Sequence, residues 1–472
     1  MRKTKIICTI GPSSNHPHII AKLIKSGMNI ARLNMAHVYN YKKLNQDIKT
    51  IREEASKAGK FVGILMDLAG PKIRLDLTSF ENQEISIEKG KIYQLGHSKM
   101  NDIPINVDLT FSHMQTTNAY VKIDDGKASF KIIKCDKRVL SIKAEDDYIL
   151  KNNKGVNFPG IELDIPALTP KDITDINQGI EIGVDWFALS FVREAEDIEP
   201  LHEILELKKR NIPIIAKIEK PEAVQNLESI IDAFDGILIA RGDLGVELSL
   251  AKLPVLQKKI INSCRNAKKP AIVATQMLES MIESSIPTRA EINDVANAVF
   301  EESDAVMLSG ETAIGNYPIE SVSIMNKIIN DVEKDKSKSF FYKNELSTGN
   351  DARAAIGASV KTISKHLKID GIVVMTESGS TAKVVANFRP KADIYAMTPH
   401  KYICNQMSLL WGVIPILTDS FLTTDDMLVN AEKILLKNKW MKVGETFILT
   451  AGVPVGVPGS TNMLKIQKIE KL

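Results

Sequence analysis

AKIEKPEAVQNLESIIDAFDGILIARGDLGVEL, residues 216–248, is the stretch on which the fold turns. Two short apolar runs, Ile212–Ile218 and Gly236–Ala240, flank a helix-like segment from Pro221 to Phe234. Ile-rich runs of this length bounded by Gly or Pro read as strands buried on both faces, as in a parallel sheet. Each run ends in charge: Lys217 and Glu219 after the first, Arg241 and Asp243 after the second. A buried strand has no structural need for such residues at its carboxyl end, and in α/β folds that end is where ligands bind.

The same rhythm extends in both directions. Upstream, Lys5–Ile10, Met28–Asn34 and Phe61–Asp67 are strand candidates; downstream and between come Val184–Ser190, Ala271–Thr275 and Ala305–Leu308. Helical segments such as Leu44–Ala58, Pro170–Gly179, Ala251–Ala267 and Arg289–Glu301 separate them. Eight strands alternating with helices predict a (β/α)8 TIM barrel, an α/β fold. Between Lys72 and about Leu163 the pattern becomes short alternating segments with an Asp124-Asp125-Gly126 turn, which predicts a small inserted β-barrel lid closed by the hinge GVNFPG at 155–160. The charged stretch Lys334–Gly349 reads as a linker to a C-terminal α/β unit with strands at Gly371–Thr376, Asp393–Met397, Val413–Leu417 and Thr446–Thr450. The expected division is therefore 1–70 and 164–340 for the barrel, 71–163 for the lid, and 341–472 for a regulatory domain.

Composition narrows the function. A chain of 472 residues with 44% hydrophobic and 25% charged residues has the make-up of a soluble globular protein. A formal net charge of +3 with no clustered basic arm gives no ground for nucleic-acid binding. Cys8, Cys135, Cys264 and Cys404 lie far apart without CxxC spacing, as expected of reduced thiols. No window approaches the roughly 20 apolar residues of a membrane span. The expectation is a cytoplasmic protein with no membrane or nucleic-acid partner.

In a barrel the mouth collects the residues at the carboxyl end of each strand. They are Gly11 and Pro12; Arg32 and Asn34; Asp67; Ser190; Lys217 and Glu219; Arg241, Gly242 and Asp243; Thr275; and Ser309 and Glu311. The set is polar, carries both signs of charge, and holds neither histidine nor cysteine, so it suits an anionic substrate held by cations and a hard divalent metal. Glu219 and Asp243 end adjacent strands, and two carboxylates without nitrogen or sulfur ligands suit Mg²⁺ or Mn²⁺; the bland alternative is an ion pair at the rim. Lys217 in a buried strand needs nearby anions; it is either a cation that stabilises an enolate beside a metal or a structural lysine that snorkels. Arg32 offers a fork for phosphate, or else a buried ion pair. Gly242 lets backbone approach a bound carboxylate. Thr275 is either a structural strand end or a hydroxyl that relays a proton with water.

The sequence resembles the pyruvate kinase family across nearly its whole length. The matching stretches include CTIGPSS at 8–14, ARLN at 31–34, GPKIR at 70–74, GVNFPG at 155–160, AKIE at 216–219, ARGDLGVE at 240–247, ATQMLESM at 274–281, PTRAEINDVANAV at 287–299 and MLSGETAIGNYP at 307–318. The resemblance implies phosphoryl transfer from phosphoenolpyruvate to ADP, giving pyruvate and ATP. It implies that Glu219 and Asp243 hold Mg²⁺, and that Arg32 and Lys217 bind the transferring group. Gly242, Asp243 and Thr275 would then hold the substrate carboxylate, with Thr275 placed for the proton step, while Arg74, His37 and Pro12 fall at nucleotide positions. It further implies a homotetramer. The loop Thr376-Glu377-Ser378-Gly379-Ser380-Thr381 would be a site for a phosphorylated effector, the alternative being a plain N-cap turn.

Three departures stand out. The family usually reads Asn-Phe-Ser-His where this chain has Asn34-Met35-Ala36-His37, which removes a serine oxygen that helps bind K⁺. It commonly reads Asp-Thr-Lys-Gly-Pro-Glu-Ile-Arg, against Asp67-Leu68-Ala69-Gly70-Pro71-Lys72-Ile73-Arg74 here. The hypothesis is that the Lys72 ammonium, beside Asn34 and Asp67, supplies the charge otherwise given by K⁺, as in the K⁺-independent branch of the family. Glu194 stands where a lysine often meets the nucleotide, which leaves nucleotide preference open. The competing readings are a dikinase-type transferase, for which no phosphohistidine-type segment is found, and a non-catalytic metabolite sensor, which would be expected to have lost one of the ligands present here.

Overall fold

A computed structural model describes the chain except residues 39, 112–118, 162, 164, 336–350, 422, 455–460 and 471–472. Eight parallel strands close into a barrel: Lys5–Thr9, Ile30–Asn34, Gly63–Asp67, Trp186–Leu189, Ile214–Ile218, Gly236–Ala240, Ala271–Ala274 and Ala305–Leu308. Neighbours in sequence are neighbours in space, and the eighth strand closes on the first from Lys5↔Ala305 to Cys8↔Leu308. Alternation along each strand sorts the side chains. Ile6, Cys8, Ala31, Leu33, Ile64, Met66, Ile214 and Ala216 pack outward in one core with the surrounding helices. Ile7, Ile30, Leu65, Ala188, Ile215, Leu238 and Ile272 fill the lumen. Two positions beyond a lumen residue the side chain faces the same way. Arg32 therefore follows Ile30, Asp67 follows Leu65, Ser190 follows Ala188 and Lys217 follows Ile215. The strand period alone brings these four to the mouth.

The expected helix Pro221–Phe234 is two helices, Pro221–Gln225 and Leu227–Ala233. They part at Asn226, whose side-chain amide donates to Arg193 O at 3.0 Å. Among the described residues the insertion holds a six-stranded and a two-stranded sheet around one apolar core that includes Tyr93, Phe130, Leu140 and Leu150. Its strands Ile103–Pro104, of two residues, and Tyr148–Lys151, in which Leu150 alone is buried, offer no apolar run to read in the sequence. The first half of the expected hinge is itself a strand, Val156–Asn157, paired antiparallel with Ile123 and Lys122. The linker expected over 334–349 lies almost wholly outside the described residues. The C-terminal unit is a five-stranded sheet whose last strand, Thr461–Lys468, runs antiparallel to Thr446–Gly452. That strand and the helix Lys401–Met407 add to the elements expected from the residue pattern.

The C-terminal unit closes the amino-terminal end of the barrel. Leu409 packs into the lumen cluster, and Trp186 Nε1 donates to Gln406 O at 3.2 Å. Lys5 Nζ donates to Val413 O at 2.6 Å. Burial, with the Arg2 guanidinium adding to it, pushes this ammonium down to about 7 against the opposing pull of Glu333 and Asp393. Below pH about 7 the folded protein holds a buried charge at full cost, and between there and the ordinary lysine value that cost shrinks as pH rises. Lys5→Met is therefore expected to melt higher than the parent at pH 6, with the gap narrowing toward pH 10. Scanning calorimetry across that range checks it, and a gap that widens with pH would refute the assignment.

Candidate active site

At the carboxyl ends of the strands lies a cleft of ≈ 580 Å³ whose lining includes Arg32, Asn34, His37, Lys72, Arg74, Ser190, Lys217, Glu219 and Asp243. A chain of alternating charges runs along it, joined by Asp67, which is buried behind the lining. Arg32 Nε and Nη2 donate to Asp67 Oδ2 at 2.7 and 2.6 Å, and Nη1 donates to Thr9 Oγ1 at 2.8 Å. Lys217 Nζ reaches Asp67 Oδ1 at 3.2 Å, Glu219 Oε1 at 2.9 Å and Ser190 Oγ at 2.7 Å. Burial would push the Lys217 ammonium down, but Asp67 and Glu219 outweigh it and hold it above the ordinary lysine value. Burial likewise opposes ionisation of Asp67, yet Lys217 and Arg32 keep its carboxyl below the ordinary range. Both groups are thus charged at neutral pH. Buried charges of this kind persist only when paired.

Glu219 is 2% exposed, and its Oε2 accepts the Phe191 amide at 2.7 Å. Burial raises its pKa, and the like charge of Asp243 adds to that against Lys217. The two carboxylates are therefore near enough to repel. Among the described residues no cluster of three or more His, Cys, Asp or Glu side chains is set to hold a metal. A pair of oxygen donors with mutual repulsion fits a hard divalent cation that takes its remaining ligands from substrate and water. Asp243 Oδ1 also meets Lys72 Nζ at 3.3 Å, and that ammonium lies 5.9 Å from the centroid of the Phe191 ring.

Thr275 stands just past its strand with φ +69, a left-handed conformation that is an outlier for a β-branched residue. Its hydroxyl accepts from Gly242 N at 2.8 Å and donates to Ala274 O at 2.6 Å, while Arg241 Nη2 holds its carbonyl at 2.7 Å. Phe191, beside Glu219, is also left-handed at φ +57. Strain of this kind persists only where the surroundings impose it, and it gathers at functional sites.

Not every expected residue reaches the cleft. Gly242 and Thr275 sit beside Asp243 but outside the lining, and Pro12 is exposed and likewise outside it. Arg241 is a brace, paired with Asp294 at 2.7 Å. Glu311 is another, buried and accepting the Leu278 and Ser309 amides. Asn34 caps the turn Met35–His37 by accepting from Ala36 N. Arg74 is held by Asn106 and Asn153. Its charge, with Arg32 and Lys72, adds to burial in keeping His37 below its ordinary value, so the imidazole is neutral at neutral pH. Asn106, Asn153 and Lys171 line the same cleft without any signal in the residue pattern. The two asparagines lie in irregular segments of the insertion, and Lys171 pairs with Asp175 four residues on, as a plain helix-surface lysine would.

In the C-terminal unit the expected effector loop leads into the helix Ser380–Asn387. Gly379 takes φ +80 and donates its amide to Thr376 Oγ1 at 2.9 Å. Thr381 is hydrogen-bonded to Thr461, Ser378 to Ser380, and Glu377 pairs with His400 at 2.9 Å. The loop's hydroxyls are thus engaged within the fold, and a carboxylate stands beside them.

Fold and cleft define a class: a (β/α)8-barrel enzyme whose mouth sets arginine and lysine side chains beside two carboxylates. The chain belongs to the pyruvate kinase family. The family profile "Pyruvate kinase, barrel domain" matches residues 1–322, and "Pyruvate kinase, alpha/beta domain" matches residues 354–467. The chain is 40% identical over 477 residues to a pyruvate kinase of Staphylococcus haemolyticus, covering 99% of this chain and 81% of that one. It is also 40% identical over 478 residues to the pyruvate kinase of Geobacillus stearothermophilus, covering 100% and 81%. The crystal structure of a pyruvate kinase from Cryptosporidium parvum superposes with a TM-score of 0.90 at 31% identity, covering 99% of this chain and 96% of that one. Among the described residues no helix is long and apolar enough to cross a membrane.

Proposed function

We propose that this chain transfers the phosphoryl group of phosphoenolpyruvate to ADP, giving pyruvate and ATP as a glycolytic enzyme of the cytoplasm. The observation that carries the reading is the buried sequence Arg32–Asp67–Lys217–Glu219 facing Asp243 across one cleft. Phosphoryl transfer asks a protein mainly for positioning and charge compensation, and this is such a site. An oxygen of the ADP terminal phosphate forms the new bond to phosphorus as the bond from phosphorus to the enol oxygen breaks. The electron pair stays on that oxygen as an enolate, beside the Lys217 ammonium. A proton then goes to the methylene carbon and completes the methyl group of pyruvate, with Thr275 holding the water that delivers it. Arg32 orients the phosphoryl group, and the Gly242 and Asp243 amides with Thr275 hold the substrate carboxylate. Arg74 and the neutral His37 face the nucleotide, with Pro12 at its outer edge. Mg²⁺ or Mn²⁺ would be held by Glu219 and Asp243 and would neutralise charge building on the transferring oxygens.

In this reading Lys72 takes the place of K⁺ in the cleft that it lines together with Asn34, where its ammonium meets Asp243. The loop 376–381 is a weaker candidate for a phosphorylated effector because Glu377 opposes an anion there. The division at residues 70, 163 and 340 is kept, since barrel, insertion and C-terminal unit each have their own apolar clusters. A homotetramer fits the exposed apolar residues Leu250, Val255, Ile286 and Ile314 on the second half of the barrel. The test is a coupled assay for pyruvate from phosphoenolpyruvate and ADP with Mg²⁺. Turnover in K⁺-free buffer is expected; no pyruvate with or without K⁺ and sugar phosphates would overturn the reading.

A further inference from the structure

The short helix Arg241–Glu247 carries Gly242 and Asp243 in its first turn and ends at Glu247. The Glu247 side chain is 1% exposed. One of its oxygens, Oε1, accepts two donors: Lys220 Nζ at 2.6 Å and Asn157 Nδ2 at 2.8 Å. Lys220 is the residue after Glu219, and Asn157 belongs to the returning strand of the insertion, Val156–Asn157. A single carboxylate oxygen therefore joins the chain segment bearing Glu219, the helix bearing Asp243, and the lid.

The lid grips this helix elsewhere too. Lys122, the register partner of Asn157, donates from Nζ to Val246 O at 2.6 Å. The tight turn at Gly126 passes close enough that a Cβ there would sit 3.7 Å from Val246 Cγ1. At the opposite end of the helix Lys72, where the chain passes from barrel to lid, meets Asp243. Stability alone gives poor reason for Glu247, because its Oε2 is buried with no hydrogen-bond partner. Such an oxygen carries an uncompensated desolvation cost, and an apolar pair of similar volume would join the same elements at lower cost.

We infer that Glu247 is a positioning residue. Through Lys220 it fixes the spacing of Glu219 and Asp243, and through Asn157 it ties that spacing to the seating of the lid. The inference rests on the reading of those two carboxylates as the divalent-cation site. Its two arms separate experimentally. Lys220→Met cuts only the barrel arm, Asn157→Ala only the lid arm, and Glu247→Ala both.

Mn²⁺ binding to the free enzyme, read by electron paramagnetic resonance, and steady-state kinetics are measured on the three variants. Melting temperatures are recorded alongside. In Lys220→Met, Mn²⁺ affinity is expected to fall by about tenfold or more, the usual cost of losing a residue that orients a metal ligand. Asn157→Ala is expected to bind Mn²⁺ like the parent while kcat falls about tenfold or more, the scale of effect that a small misplacement produces. Glu247→Ala should show both losses. If it does not fold, the two single-arm variants still decide the matter. Unchanged Mn²⁺ affinity in Lys220→Met, or unchanged kcat in Asn157→Ala, with only a lower melting temperature, overturns the proposal. Glu219→Gln serves as the control. If that variant binds Mn²⁺ as tightly as the parent, the metal reading itself fails and the inference falls with it, an outcome distinct from a normal Lys220→Met.

Discussion

Lys217→Met will lose phosphoryl transfer, and its loss of stability relative to the parent will be larger near pH 7 than below about pH 4. On the proposed mechanism, removing this ammonium takes the positive charge from the point where the enolate forms. Loss of one preorganised electrostatic partner costs about 10²–10³-fold in kcat. Lys217 also neutralises Asp67 and Glu219, so the loss is expected at the upper end of that range. The same removal leaves two buried carboxylates short of a partner. Breaking a buried pair costs about 3–5 kcal/mol. Asp67 gives the stability change its pH dependence. In the intact protein Lys217 and Arg32 overcome burial and hold its carboxyl below the ordinary value. That contribution to stability is present above the unfolded carboxylate pKa and is lost as pH falls through the lower folded one. The stability gap between parent and variant should therefore be wide at neutral pH and narrow as pH drops below about 4, the unperturbed range of Asp. Pyruvate formation and thermal melts at several pH values check both parts. A kcat within tenfold of the parent would sink the assigned role.

How much of this can be read from the residues differs from place to place. Gly236–Ala240 and Ala305–Leu308 are found end to end because each is an unbroken apolar run with a sharp polar boundary. The strand period then dictates that Arg32, Asp67, Ser190 and Lys217 share the lumen face. Their mutual contacts are not legible. Ser190 stands at the right strand end in the sequence, but its bond to Lys217 depends on barrel closure. Thr275 reads as the last residue of an extended strand, whereas it lies beyond it at φ +69, a conformation its type disfavours and only its surroundings impose. Charge at a strand end is ambiguous by itself. Lys217 and Glu219 line the cleft, while Arg241 and Glu311 hold loops. Glu247 sits inside the quoted motif yet carries no signal of its own, because both of its partners lie outside that helix.

Turnover of the parent enzyme should be unaffected by K⁺, and Lys72→Glu should create a K⁺ requirement that K⁺ only partly satisfies. The Lys72 ammonium is 3.3 Å from Asp243 Oδ1, with both side chains a little under one-third exposed. A Cβ at Gly155 would lie 3.2 Å from Lys72 Cε, so the stem packs against the start of the returning lid strand. The charge is therefore held at the mouth by packing rather than left to roam. An exposed lysine could not replace a bound ion in this way, since mobility would spread its field through solvent. Reversing the charge sets a carboxylate against Asp243 and near the incoming phosphates. A fall of about 10–10²-fold in kcat/KM without K⁺ corresponds to about 1.4–2.8 kcal/mol of lost transition-state binding. Added K⁺ can return part of this by pairing with the new carboxylate. It cannot return all of it, because Ala36 and Leu68 present no side-chain oxygen where the family commonly has serine and threonine. Lys72→Met separates the two effects: it should lose activity in K⁺-free buffer and gain less from K⁺ than Lys72→Glu. Strong activation of the parent by K⁺, or a Lys72→Met variant as active as the parent without it, would refute the substitution of ammonium for ion.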